Sequence, residues 1–247
     1  MSLKRLRGRK FNSYDLLKDI AFFIMLIDHI GLFMFHGKIL FFRVIGRAAV
    51  IIYAILFGSG KKKREKMGRI MVAAIILSLI HAHIYNRIFP LNIMYNFYLA
   101  NLLVDYLNIL YNGNTILFFI VIALLGLCGV YTCDYLEYGP YLLLLVFCGK
   151  IFRKSEKTPK DKTVTISIFL MFALAQILRL DFRGLYSVAA LLLIGGVYRV
   201  LFNFKIREME NVPGETLLMF ISRYSLELFI VQAIIFLGIN LWTQQKI

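Results

Sequence analysis

Long apolar runs alternate with short polar or basic segments along the whole chain. A helix needs about 20 residues to cross the hydrocarbon core of a bilayer, and most of these runs approach that length. We therefore expect an all-α fold, a polytopic membrane helix bundle that forms a single integral membrane domain over residues 1–247. About nine transmembrane helices are predicted, near residues 20–37, 40–58, 68–86, 92–110, 115–132, 140–152, 163–179, 184–204 and 215–241. The sixth of these runs is short enough to be re-entrant instead.

The composition agrees with this pattern, since 60% of the residues are hydrophobic and only 17% are charged. Ordinary soluble domains have about 45–50% apolar and about 25% charged residues. These values exclude a soluble globular protein, a disordered chain, a disulfide scaffold and a secreted enzyme. The loops leave no room for a soluble domain, so we expect any chemistry within the bundle or at its two mouths.

Basic residues account for a net charge of +15, and most of them lie in alternate loops. They are concentrated in a basic N-terminal arm, residues 1–12, in the run that follows residue 60, and in a linker, residues 153–162. Because basic loops face the cytoplasm, the arm, the linker and the N-terminus are predicted to be cytoplasmic. Orientation in the lipid bilayer thus explains most of the surplus charge, and no nucleic-acid partner is expected.

A few ionisable residues fall inside the first two predicted spans, where an unpaired charge is costly. Asp28 and His29 lie in the first span, and Arg43 and Arg47 share one face of the second, four residues apart. Since a short loop joins the two spans, Asp28 and Arg47 should lie at similar depth and form an ion pair. The pair either serves as a structural bridge or orients a site in which His29 transfers protons. His36 lies on the same stripe as His29, at the outer mouth.

Other polar groups carry weaker signals. Arg223 and Glu227 are four residues apart in the last span and are expected to neutralise each other, whereas Asp134 lies in an outer loop. His81 and His83 are two residues apart and therefore point to different faces of a helix, which makes them poor joint ligands. No metal site is expected.

Two motifs in the first two spans resemble the opening of the TraX family, multi-span proteins related to F-pilin acetylase. They are Lys18-Asp19-Ile20 leading into Met25-Leu26-Ile27-Asp28-His29-Ile30-Gly31, and Phe42-Arg43-Val44-Ile45-Gly46-Arg47-Ala48. Weaker similarities follow at Asp134-Tyr135 with Gly139, in the segment from Leu185 to Tyr198-Arg199, and at Arg223 to Phe229. The chain departs from the family at Ala48-Ala49-Val50-Ile51 and at Gln232, which stands where the last span usually carries a histidine.

The resemblance implies an integral membrane acetyltransferase in the plasma (inner) membrane of a bacterium. It would transfer acetyl from acetyl-CoA, the acyl donor, to an amine or hydroxyl of an acceptor peptide or glycan at the outer face. His29 would act as the general base, and Asp28 is the second catalytic candidate, although adjacent helical residues point about 100° apart and cannot form a relay with each other. Six residues are candidates for binding substrate or donor, namely Arg43, Arg47, His36, Asp134, Arg223 and Glu227.

Two other functions remain open at this point. A small membrane transporter would use the same intramembrane charges as an ion path, although the sequence shows no convincing internal repeat. A non-catalytic membrane assembly protein would need these charges only for stability.

Overall fold

A computed structural model describes residues 10–35, 37–60, 64–85, 91–210 and 212–244. Within these residues the regular structure consists of nine α-helices and one π-helical turn, Ile30–Met34, that continues the first helix. The all-α prediction is confirmed. The helices are α1 (Ser13–His29), α2 (Leu40–Ser59), α3 (Arg64–Tyr85), α4 (Ile93–Gly113), α5 (Thr115–Thr132), α6 (Gly139–Phe152), α7 (Pro159–Arg179), α8 (Leu185–Phe202) and α9 (Glu215–Gln244).

Several of these helices suit a membrane. In the described part of the chain, five segments are long and apolar enough to cross one, namely α2, α5, α7, α8 and residues Glu215–Phe236 of α9. Helices α5 and α8 expose large apolar side chains along most of their length, as expected for surfaces in contact with lipid. The chain therefore has the features of a multi-pass membrane protein, while nine crossings and a cytoplasmic N-terminus stay predictions.

Two helix starts follow from local sequence. The Asn12 side chain accepts hydrogen bonds from the backbone N–H groups of Tyr14 and Asp15 and thereby caps the start of α1. Thr158 and Asp161 form a reciprocal capping box at the start of α7, with Pro159 in the first turn. Helix α7 therefore begins within the predicted basic linker.

The short helix α6 lies at the centre of the bundle, where it packs against α2, α4, α5 and α7. Helices α2 and α6 approach at two glycines. A Cβ atom on Gly58 would lie 1.9 Å from the carbonyl oxygen of Val146, and one on Gly149 would lie 2.3 Å from that of Ile55. Only glycine permits this contact between backbones, and it fixes α2, which carries both arginines of the site.

Helix α1 packs against α2 and α9. The loop before α6 is held by a short parallel bridge between Leu91 and Leu136. Backbone N–H groups of Leu91 and Glu137 donate to the carbonyls of Tyr135 and Leu91, at 2.9 and 3.0 Å. This bridge joins the start of α4 to the loop that contributes Tyr138 to the site.

Candidate functional site

The predicted pair of Asp28 and Arg47 is present and includes a second arginine. Nη1 of Arg43 donates to Oδ1 of Asp28 at 2.6 Å, and Nη2 of Arg47 donates to Oδ2 at 3.0 Å. Each carboxylate oxygen thus accepts from a different guanidinium, which gives two charge-assisted hydrogen bonds. Two positive charges face one negative charge, so this cluster carries a net positive charge.

Close contact between α1 and α2 makes this pairing possible. A Cβ atom on Gly46 would lie 2.2 Å from Cγ of Asp28, and one on Gly31 would lie 2.5 Å from Cβ of Phe42. Real Cβ atoms essentially never come this near to other atoms. The glycine in the Gly46-Arg47 motif therefore admits the carboxylate that the neighbouring arginine binds.

The two arginines differ in how fully their hydrogen-bond donors are used. The guanidinium of Arg47 donates from Nε to the carbonyl of Arg43 at 3.1 Å, and from Nη1 to Tyr138 Oη at 2.8 Å and to Gln176 Oε1 at 3.1 Å. The Arg43 side chain is 15% exposed against 4% for Arg47, and in the described part of the chain Asp28 is its one side-chain hydrogen-bond partner. Arg47 therefore fixes the structure, whereas Arg43 has N–H groups left to bind a ligand.

Tyr138 reaches Arg47 from the loop between α5 and α6, where its backbone is left-handed, with φ of 64°. The loop is held on both sides of Tyr138, since Asn96 Nδ2 donates to the carbonyls of Glu137 and Gly139 at 2.8 and 2.7 Å. Burial raises the pKa of Tyr138 to about 12, although Arg47 acts in the opposite direction. The phenol therefore stays neutral at physiological pH and accepts the hydrogen bond from Arg47.

Glu137 adds a further acidic group at this edge of the site. Its Oε2 accepts a hydrogen bond from the backbone N–H of Ile93 at 3.0 Å. Burial raises the pKa of Glu137, while the Ile93 N–H and the charges of Arg47, Arg179 and Arg43 oppose that rise. The carboxylate therefore caps the start of α4 and lies within electrostatic range of the arginines.

His29 lies on α1 beside this cluster and pairs with α9. Its Nδ1 is 2.8 Å from Nε2 of Gln232, and its ring packs against Phe33, Phe229 and Phe236. Oε1 of Gln232 is buried and has no hydrogen-bond partner among the described residues. The π-helical turn begins directly after His29, an irregularity that is frequent at functional sites.

The other candidates lie apart from this group. Glu227 pairs with Arg69 of α3, so the predicted mutual neutralisation of Arg223 and Glu227 is wrong. The guanidinium of Arg223 lies 5.9 Å from the ring centroid of Tyr224 instead. The i, i+4 spacing does not decide the partner, because α3 packs against α9 and offers a cation.

Asp134 is exposed in the turn after α5. His36 and the side chains of His81 and His83 lie outside the described residues. In the part of the chain that the structure describes, no group of three or more His, Cys, Asp or Glu side chains could hold a metal ion.

Sequence reasoning missed Tyr138 and Gln176 as members of the site, and it singled out Gln232 without its contact to His29. Tyr138 and Gln176 lie 91 and 129 residues from Arg47, and Gln232 lies 203 residues from His29. Gln176 lies within the apolar helix α7, and no described group accepts a hydrogen bond from its buried Nε2. A polar amide inside a membrane span was the available signal for it.

An uncharacterised protein from Rickettsia prowazekii (strain Madrid E) is 27% identical over 165 residues, which are 65% of this chain and 63% of the relative. The chain thus matches less than two thirds of that relative's length. No solved structure shows a significant match. The family model described as TraX protein matches residues 13–234, and with nearly the whole chain covered, this protein belongs to the TraX family.

Proposed function

We propose that this chain is an integral membrane acetyltransferase, with acetyl-CoA as donor and an amine or hydroxyl of a peptide or glycan at the outer face as acceptor. The observation that carries the proposal is the pairing of His29 with Gln232 directly beside a fixed, net positive arginine cluster. Acyl transfer needs a base for the acceptor and positive charge for the oxyanion that develops on the thioester carbonyl.

His29 is the proposed general base. Rotation of the Gln232 amide by half a turn would place its unpartnered Oε1 opposite Nδ1 of His29, in place of Nε2. The amide oxygen then accepts the Nδ1 proton, and the lone pair on Nε2 of the imidazole is free to take a proton from the acceptor. Gln232 thus takes the positioning role, since the carboxylate of Asp28 is occupied by the two arginines.

The bond changes balance without another reactant. As His29 removes its proton, the acceptor nitrogen or oxygen attacks the thioester carbonyl carbon of acetyl-CoA, and the carbonyl oxygen gains negative charge. Collapse of this intermediate breaks the C–S bond, and the departing thiolate takes the proton back from His29. The free N–H groups of Arg43 would stabilise the oxyanion.

The remaining candidates receive roles by their position in the predicted orientation. His36 and Asp134 would contact the acceptor at the outer mouth, and Arg223 and Glu227 would contact the donor in the inner half. Arg47 supports the site through Asp28, Tyr138 and Gln176 rather than through substrate.

The test is transfer of labelled acetyl from acetyl-CoA by purified protein, with release of the free thiol measured in parallel. Acceptor panels of peptides and oligosaccharides identify the acceptor class. The His29→Ala variant should lose transfer, whereas Glu156→Gln, an exposed change of the same size before α7, should fold and retain most of it. Equal transfer by His29→Ala would contradict the proposal. Solute flux into liposomes that disappears in Arg47→Ala would favour a carrier instead.

A further inference from the structure

A second aspartate of α1 has surroundings that differ sharply from those of Asp28. The side chain of Asp19 is 1% exposed, and neither of its carboxylate oxygens has a hydrogen-bond partner in the described structure. Asp161, another buried aspartate, accepts from Tyr111, Lys154 and Thr158. Asp19 is therefore a buried acidic group that the rest of the described fold does not neutralise by contact.

Helix α1 packs against α2 and α9, and the hydroxyl groups that these helices direct at this part of α1 contact other atoms. On α2 the hydroxyl of Tyr53 donates to the carbonyl of Lys18 at 3.5 Å, and on α9 the hydroxyl of Ser222 donates to Oδ1 of Asp15 at 2.8 Å. Among the residues that the structure describes, the charged and titratable groups within electrostatic range of Asp19 are Asp15, Lys18 and Tyr53. The positive charge of Lys18 and the negative charge of Asp15 oppose each other, so together they do little to stabilise the ionised form of Asp19.

An ionised carboxylate that is buried without partners is strongly disfavoured because it loses its hydration, and such a group takes up a proton instead. We propose that Asp19 is a proton-binding site at the junction of α1, α2 and α9, and that it holds its proton at neutral pH. The inference is independent of the acetyltransferase proposal, because it concerns a carboxyl ten residues before His29 on α1.

A proton fits this position better than a metal cation does. A cation needs several oxygen ligands at once, and no cluster of three or more acidic, histidine or cysteine side chains occurs among the described residues. The two neighbouring hydroxyls already donate to other acceptors. A proton needs one carboxylate oxygen only.

Loss of this proton should disturb the packing of α1. An unpaired negative charge at Asp19 favours entry of water or separation of α1 from α2 and α9. The contact between Asp28 and Gly46, farther along the same helix, has no spare room. We therefore expect alkaline pH to destabilise the protein through Asp19.

Infrared spectroscopy of the purified protein in detergent tests the proposal. At neutral pH the wild type should show the C=O stretch of a protonated carboxylic acid, and Asp19→Asn should lack it. The Asp134→Asn variant, which changes an exposed carboxyl, should keep the band. No loss of this band in Asp19→Asn would overturn the proposal.

Thermal unfolding as a function of pH provides a second measurement, in which Asp19→Leu serves if the asparagine variant does not fold. The wild type should lose Tm as pH rises, and the variant should lose less. Sodium-dependent stabilisation that Asp19→Leu abolishes would show a cation site and overturn proton binding. An equal fall of Tm with pH in wild type and variant would also overturn it.

Discussion

Gly46→Ala should damage the site more than its size suggests. The added Cβ would lie 2.2 Å from Cγ and 2.4 Å from both Cβ and Oδ1 of Asp28. Because two guanidinium groups hold this carboxylate, Asp28 cannot rotate away without breaking at least one buried ion pair. Helix α1 must therefore move away from α2, or Arg47 must lose its partner.

The magnitude follows from three terms. Overpacking costs about 1–3 kcal/mol, and breaking a buried ion pair costs about 3–5 kcal/mol when one charge is left unpaired. Replacing glycine by alanine within a helix returns about 1 kcal/mol. If α1 and α2 share the strain so that the ion pairs are only partly lost, the free energy of unfolding should fall by about 2–4 kcal/mol.

Equilibrium unfolding in mixed micelles measures this loss, and two glycines provide controls. A Cβ on Gly196 meets nothing within 4 Å, so Gly196→Ala should not destabilise the protein, while Gly58→Ala tests steric strain away from the charges. In an Asp28→Gly background, which lacks Cβ as well as the carboxylate, the clash is absent, so Gly46→Ala should cost almost nothing there. Additive effects of Gly46→Ala and Asp28→Gly would refute the reasoning.

Three further predictions concern the same site. Arg47→Lys should lower the free energy of unfolding by about 3–5 kcal/mol in mixed micelles, since lysine cannot bind Asp28, Tyr138 and Gln176 together, and Arg43→Lys should cost less. Gln232→Leu removes the hydrogen bond to His29, which is worth about 1 kcal/mol, and should therefore lower kcat for acetyl transfer about fivefold with little change in KM. Burial raises the pKa of Glu137 above its ordinary 4.5. The stability that protonated Glu137 gives the wild type is therefore fully present below pH 4.5 and is lost as the pH rises through the pKa of Glu137 in the folded protein. Glu137→Gln should therefore lose less Tm over that range in a pH series of thermal unfolding.

The helices, and the part of the site that α1 and α2 contribute, could be predicted from the sequence. Apolar runs near 20 residues mark helices, because a bilayer requires that length. The pairing of Asp28 with Arg47 followed from a short connection that makes α1 and α2 antiparallel neighbours, together with the cost of unpaired charge in a membrane. The same reasoning placed Arg43 on the face of Arg47, and the structure shows it on the same carboxylate.

The hydrogen-bond partners that distant helices contribute to the site could not be predicted from the sequence. Every membrane helix has apolar residues around much of its surface, so hydrophobic pattern does not show which helices are neighbours. Glu227 illustrates the difficulty, because its i, i+4 neighbour Arg223 was the obvious cation and the actual one is Arg69, 158 residues away. Tyr138 and Gln176 depend similarly on the packing of α6 and α7 against α2.

Two of the three buried aspartates of helix α1, Asp19 and Asp28, have charges that are neutralised by different means, and the difference has a consequence for the site. Guanidinium groups remain charged at all physiological pH values, so the arginines keep the field at Asp28 constant and hold α1 against Gly46. A proton at Asp19 can exchange with solvent whenever α1 separates from α2 and α9. The charges beside His29 are therefore fixed by the arginines, as the proposed acetyl transfer requires of groups that stabilise its transition state, whereas the proposed proton at Asp19 makes the charge at the opposite end of α1 depend on pH.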